Sequence, residues 1–137
     1  MDDCIFCKIV NGKIPSSKIY EDDTFIVILD IFPSAKGHLL IIPKRHATNL
    51  YELNEKEASD LIPLSQKIAK KINETLKPQG LNILQNNGKA AGQDVFHYHM
   101  HLIPRYENDG IKYFKQSPQA SKEEMDELLK LLYISCA

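Results

Sequence analysis

The stretch FHYHMHLIPR, residues 96–105, decides the fold. It carries His97, His99 and His101 at every second position, with Phe96, Tyr98, Met100 and Leu102 interleaved. On a β-strand successive side chains point to opposite faces. The alternation therefore puts three imidazoles on one face and the apolar groups on the other. On a helix the same residues would scatter around the axis. The spacing predicts a strand over 95–104 whose apolar face anchors it to a core.

The neighbouring segments supply partners for that strand. TFIVILDI (24–31) and HLLIIP (38–43) are rich in β-branched residues and read as buried strands. A short strand around 18–20, turned by Glu21, Asp22 and Asp23, precedes them, and FPSAKG (32–37) has the composition of a turn. LNILQNN (81–87) alternates as a further strand. Between these, Asn54 and Glu57 form a capping box ahead of apolar positions at helical spacing; Pro63 predicts a kink or a late start there. Ser121 and Glu124 cap a second helix over 121–134, read as a solvated face over a leucine stripe. The sum is an α+β chain with a five-stranded antiparallel sheet and two helices.

At 137 residues the chain is long enough for one domain, taken as 1–137, and too short for two. Its formal net charge of −1 gives no basis for binding a nucleic acid polymer or a membrane surface. The N-terminus has neither the basic start nor the apolar run of a signal peptide, and the chain reads as cytoplasmic with reduced thiols. Lys44 and Arg45, ending a strand, read as solvated charges, and Cys136 as incidental.

Three readings of the histidines compete. They are solvated surface groups, a metal site, or a site for phosphate chemistry. Neighbours on one face of a straight strand lie roughly 6.8 Å apart, while zinc–nitrogen bonds are about 2.0–2.1 Å. Such a strand can hardly bring all three rings to one ion. Phosphate chemistry suits imidazole better, because a neutral ring nitrogen is nucleophilic near neutral pH. Attack on phosphorus splits one displacement into two easier steps. Cys4 and Cys7 form a C-x-x-C, and three readings remain for them as well. A redox pair would want a thioredoxin-like βαβ context, which is absent. Two buried thiols would need no partner, and half of a zinc site would need two more ligands.

HYHMHLI resembles the signature of the histidine triad family of nucleotide hydrolases and transferases. CIFCKIVNGKIPSSKIYEDD, LDIFPSAKGHLLIIPKRH, NNGKAAGQ and FHYHMHLIPRY follow in that family's order, from Cys4 to Tyr106. The likeness is greatest to the bacterial branch with an N-terminal C-x-x-C, close to the Hint-like phosphoramidases. The resemblance implies a homodimer whose two sheets join, acting on a small purine nucleotide. It implies His99 as the nucleophile that carries a transient nucleotidyl group. His101 would bind the α-phosphate and aid the leaving group, and His38 would stand behind them. Phe6, Ile9 and Ile31 would sandwich the base, Asp30 would accept ribose hydroxyls, and Asn86, Gly92 and Gln93 would meet phosphate or ribose. It implies a structural zinc on Cys4, Cys7, His46 and His97, with no catalytic metal required. Phosphoramidates and dinucleoside polyphosphates compete as substrates. A zinc-dependent hydrolase and a non-catalytic nucleotide-binding module are the rival classes.

Asp94 departs from much of the family, where Ser or Thr offers a hydroxyl to phosphate. A carboxylate repels phosphate, so its side chain is expected to turn away, leaving the backbone N–H to serve. The alternative is a turn-forming residue next to the strand.

Overall fold

The computed structural model describes residues 3–112 and 117–136. Five strands form one sheet in the order β1-β2-β3-β5-β4, with every neighbouring pair antiparallel. They are β1 (Lys18–Glu21), β2 (Phe25–Leu29), β3 (Leu39–Pro43), β4 (Gly80–Leu84) and β5 (Met100–Arg105). Among the described residues three α-helices accompany them, α1 (Ile5–Val10), α2 (Glu55–Leu76) and α3 (Lys122–Leu132), with short 3-10 turns at Leu50–Glu52 and Lys89–Ala91. The expected sheet is present, and the expected helix count is corrected from two to three by α1.

The central strands are apolar without alternation because both of their faces are covered. Phe25, Val27, Leu39 and Ile41 pack against Leu61, Leu64, Ile68 and Ile72 of α2. Ile26, Ile28, Leu40 and Ile42 point the other way and pack under Phe6 and Ile9 of α1. The short α1 is thus a lid on the second face of the sheet. Its cap is unusual: the Cys7 N–H lies 3.4 Å from Cys4 Sγ.

Helix α2 begins at the expected capping box, with the Glu57 N–H donating to Asn54 Oδ1 and the Asn54 N–H to Glu57 Oε1. It runs through Pro63 to Leu76 rather than starting late. Pro63 and Ser59, whose carbonyl loses its intrahelical partner, lie on the exposed side, where that carbonyl is open to solvent.

Strand β5 is shorter than the sequence suggests. Pairing with β3 stops at Ile41↔Met100, so 95–99 lie outside the ladder and only His101 of the three histidines is in the strand. The alternation survives in part. Tyr98, Met100 and Leu102 enter the α2-side core, but Phe96 is 49% exposed. Helix α3 has the expected leucine stripe, and nothing in this chain covers it among the described residues. No helix of the described residues is long and apolar enough to cross a membrane.

Candidate functional site

A cavity of about 490 Å³ opens between α1, the ends of β2 and β3, and the histidine stretch. Phe6 and Ile9 form one apolar wall, while Asp30, Asp94, His99 and His101 supply the polar groups. The edge of the Phe6 ring meets His99, with centroids 5.0 Å apart, and the His99 and His101 rings lie 4.9 Å apart. The two imidazoles are therefore much closer than a flat strand would place them. A larger groove of about 710 Å³ runs beside α2, but no histidine lines it; its walls are apolar groups with lysines, Gln66, Glu74 and Thr75.

Hydrogen bonds fix which nitrogen of each ring carries the proton. The Ser34 N–H lies 3.0 Å from His38 Nδ1, which must accept. The His38 proton is then on Nε2, 2.9 Å from His101 Nδ1. His101 accepts there and keeps its own proton on Nε2. His99 Nδ1 is 2.8 Å from the His97 carbonyl, so Nδ1 donates and the Nε2 lone pair is free. His97 Nε2 donates to the Pro43 carbonyl at 2.8 Å, leaving the Nδ1 lone pair free. One backbone run thus presents three imidazoles in three electronic roles.

The environment keeps the supporting rings neutral. Burial lowers the His38 pKa, opposed by the Asp30 carboxylate, whose Oδ2 lies 3.6 Å away. Burial, reinforced by His99 and His38, pushes His101 down to about 4. Burial also lowers His97, opposed by its bond to the Pro43 carbonyl. At neutral pH His101 is an uncharged N–H donor.

The free Nδ1 of His97 faces the C-x-x-C. It lies 3.3 Å from Cys4 Sγ and 3.5 Å from Cys7 Sγ, and His46 Nδ1 lies 3.4 Å from Cys7 Sγ. All four ligand atoms fall within 4.8 Å of one another. Burial, followed by the neighbouring Cys4, pushes the Cys7 thiol up to about 11. Two sulfurs and two imidazole nitrogens this close together suit a tetrahedral ion such as zinc. Asp30, His38 and His101 also converge. There, however, His38 offers a proton rather than a lone pair, because its Nδ1 is taken by Ser34.

Phe6, Ile9, Asp30, His38, His99 and His101 line the cavity, and Ile31 stands at its mouth, 79% exposed. Asn86, Gly92 and Gln93 do not line it. The buried Gln93 side chain is engaged within the fold: its Oε1 accepts the Gly88 N–H, and its Nε2 donates to the Thr48 and Val95 carbonyls. Gly92 has φ +91°, and a Cβ there would make only an ordinary contact with Asn86, so the left-handed turn, not crowding, requires glycine. Asp94 corrects its expectation: the carboxylate does not turn away but lines the cavity, 3.8 Å from His99 Nε2. Ser34 was not anticipated. Its backbone N–H, four residues before His38, sets the tautomer chain, and the turn composition of FPSAKG was the only signal.

Residues 11–108 match the HIT domain profile. The chain is 52% identical over 111 residues to the protein named "Protein hit" of Bacillus subtilis, covering 80% of this chain and 77% of that one. It is 47% identical over 102 residues, 74% of each chain, to the Schizosaccharomyces pombe protein named adenosine 5'-monophosphoramidase hnt1. A crystal structure of a HIT family protein from Bacillus anthracis superposes with TM-score 0.88 at 44% identity, covering 96% of this chain and 95% of that one. A zinc-bound histidine triad family protein from Mycobacterium smegmatis gives TM-score 0.76 at 40% identity, covering 95% and 92%. The spacing of the histidines, the sheet order and these matches agree: the chain belongs to the HIT domain family.

Proposed function

We propose that the protein is a nucleotide hydrolase that cleaves purine nucleoside phosphoramidates, or related nucleotidyl conjugates, at the α-phosphorus through a nucleotidyl-histidine intermediate. The observation that carries this reading is a free lone pair on His99 Nε2 beside an N–H donor on His101, both on one cavity wall. The name of the Schizosaccharomyces pombe relative supports the substrate class.

His99 Nε2 attacks phosphorus as the P–N bond breaks. The bond's electron pair goes to the amine nitrogen, which takes a proton from water at the open mouth. His101 Nε2–H donates to a phosphoryl oxygen as negative charge develops on it, and His38 holds His101 in that tautomer. Water then attacks the phosphoimidazole, releasing a nucleoside monophosphate and restoring the lone pair. Phe6, Ile9 and Ile31 hold the base by apolar contact, and Asp30 accepts the ribose hydroxyls. Asn86, Gly92 and Gln93 act from outside the cavity: the Asn86 amide donates to the Gly92 carbonyl and Gln93 accepts the Gly88 N–H, shaping the loop that presents Asp94 to the phosphate.

Zinc on Cys4, Cys7, His46 and His97 is structural in this reading. Four protein ligands leave no open position, so the ion ties α1 to the histidine stretch and takes no part in hydrolysis. That the Mycobacterium smegmatis neighbour is zinc-bound supports zinc as the ion. Free thiols suit a reducing, cytoplasmic compartment. A homodimer through the β4 edge is favoured by chemistry: β1 carries charges and a register break that blunt its edge, whereas β4 (GLNIL) is uncharged and regular with Ile83 exposed.

The reaction is tested by nucleoside monophosphate release from adenosine phosphoramidate. His99→Ala is expected to abolish release while retaining zinc and nucleotide binding. Turnover that survives in His99→Ala, or that stops on zinc removal from a still-folded protein, refutes the assignment.

A further inference from the structure

We infer that Asp94 is a specificity determinant that selects leaving amines bearing a second, positive charge and rejects anionic leaving groups, polyphosphates included. The inference rests on the proposed reaction and names the substrate class more narrowly.

The cavity contains two carboxylates, Asp30 and Asp94, and among the described residues no lysine or arginine lines it. The two carboxylates have different tasks. Asp30 lies against His38 at one end, and its Oδ1 accepts the Phe32 N–H at 2.8 Å. Asp94 stands at the reacting end, with its Oδ1 3.8 Å from His99 Nε2 and also accepting the Val95 N–H at 2.9 Å. The side chain is 84% exposed, so its charge lies at the solvent-facing rim of the cavity.

A single α-phosphate is served by the His101 N–H. Each further phosphate of a dinucleoside polyphosphate would bring negative charge beside Asp94 with no cation in the wall to balance it. An in-line displacement places the leaving atom across phosphorus from Nε2. A flexible chain of a few carbons then lets a terminal ammonium fold back to the Asp94 carboxylate at the mouth. An exposed pair of opposite charges a few ångströms apart shifts kcat/KM by a factor of a few, and a like-charged pair shifts it the other way.

The test uses three adenosine phosphoramidates whose leaving amines are putrescine (cationic tail), butylamine (uncharged) and γ-aminobutyrate (anionic), with diadenosine tetraphosphate as a fourth substrate. kcat/KM is measured for the full-length protein and for Asp94→Asn and Asp94→Glu. The wild type is expected to favour putrescine over γ-aminobutyrate by about threefold or more, and to turn over diadenosine tetraphosphate most slowly. Asp94→Asn is expected to bring the cation-to-anion ratio close to one, and Asp94→Glu to preserve it. Raising salt from about 0.05 M to about 0.5 M is expected to lower the wild-type ratio alone. Using the ratio cancels any general effect of the substitution on folding or on His99. Turnover with a flat charge profile in the wild type, or a ratio unchanged in Asp94→Asn, overturns the role of Asp94 and leaves the reaction standing. Absence of turnover on every phosphoramidate overturns the reaction class and this inference with it.

Discussion

His38 Nε2 lies 2.9 Å from His101 Nδ1, and that bond decides which proton His101 can offer to a phosphate. Without it His101 is free to place its proton on either nitrogen, and a neutral ring with the wrong tautomer would present a lone pair to phosphate oxygens. His38→Ala is expected to lower kcat roughly ten- to a hundredfold, the range for removing a group that orients a functional imidazole, with KM little changed. His38→Gln keeps an N–H donor and is expected to recover part of the loss. Steady-state kinetics on adenosine phosphoramidate check both variants.

The same burial sets a pH dependence of stability. His101 is held down to about 4, and burial lowers His38 and His97 as well. In the unfolded chain these rings titrate near 6.5. Between about 4 and 6.5 the unfolded state binds more protons than the native state, so native stability rises with pH across that window and is lost as pH falls. Urea midpoints are expected to drop steadily from about pH 7 to about pH 5. His101→Asn is expected to flatten that slope.

Zinc should behave as a fold-completing ion. Because the Cys7 thiol is pushed up to about 11 without metal, binding has to displace its proton. Uptake is therefore expected to release protons and to weaken as pH falls. Elemental analysis of the purified protein is expected to find one zinc per chain, reduced by Cys7→Ser but unaffected by His99→Ala. Chelation is expected to lower Tm by at least about 10 °C, as befits loss of several kcal/mol of metal binding.

Association through β4 has its own signature. Ile83 is 46% exposed on an uncharged edge strand. Ile83→Lys puts a charge there and is expected to shift sedimentation from dimer to monomer, with the far-ultraviolet circular dichroism unchanged. A wild type that sediments as a monomer at all concentrations contradicts the dimer.

Some of this architecture was readable in the sequence, for identifiable reasons. Phe25–Leu29 and Leu39–Pro43 were legible as strands because α1 and α2 bury both faces, which demands continuous apolar runs. The Asn54–Glu57 capping box marked α2 to the residue. Helix α1 was not legible: six residues are too few for periodicity, and a cysteine sulfur replaces the usual oxygen at its cap. The stretch 95–99 reads as strand because alternation is all the sequence offers. In the fold the Pro43 carbonyl accepts from the His97 ring, and the Tyr98 N–H donates to the Ala47 carbonyl, so β5 pairing begins only at Met100. The position of the Asp94 carboxylate is not legible in the sequence for a similar reason: repulsion of phosphate argues for turning away, whereas the Val95 N–H donates to it and it lies beside His99.

The central claim is that His99 Nε2 carries an unshared pair and forms the bond to phosphorus. Rapid mixing with adenosine phosphoramidate, quenching in alkaline denaturant, proteolysis and mass spectrometry test it most directly. One adenylyl group on His99, in the peptide spanning 95–105, absent from His99→Ala, is the expected result. Ongoing turnover with no adduct, or an adduct on another residue, would contradict the account.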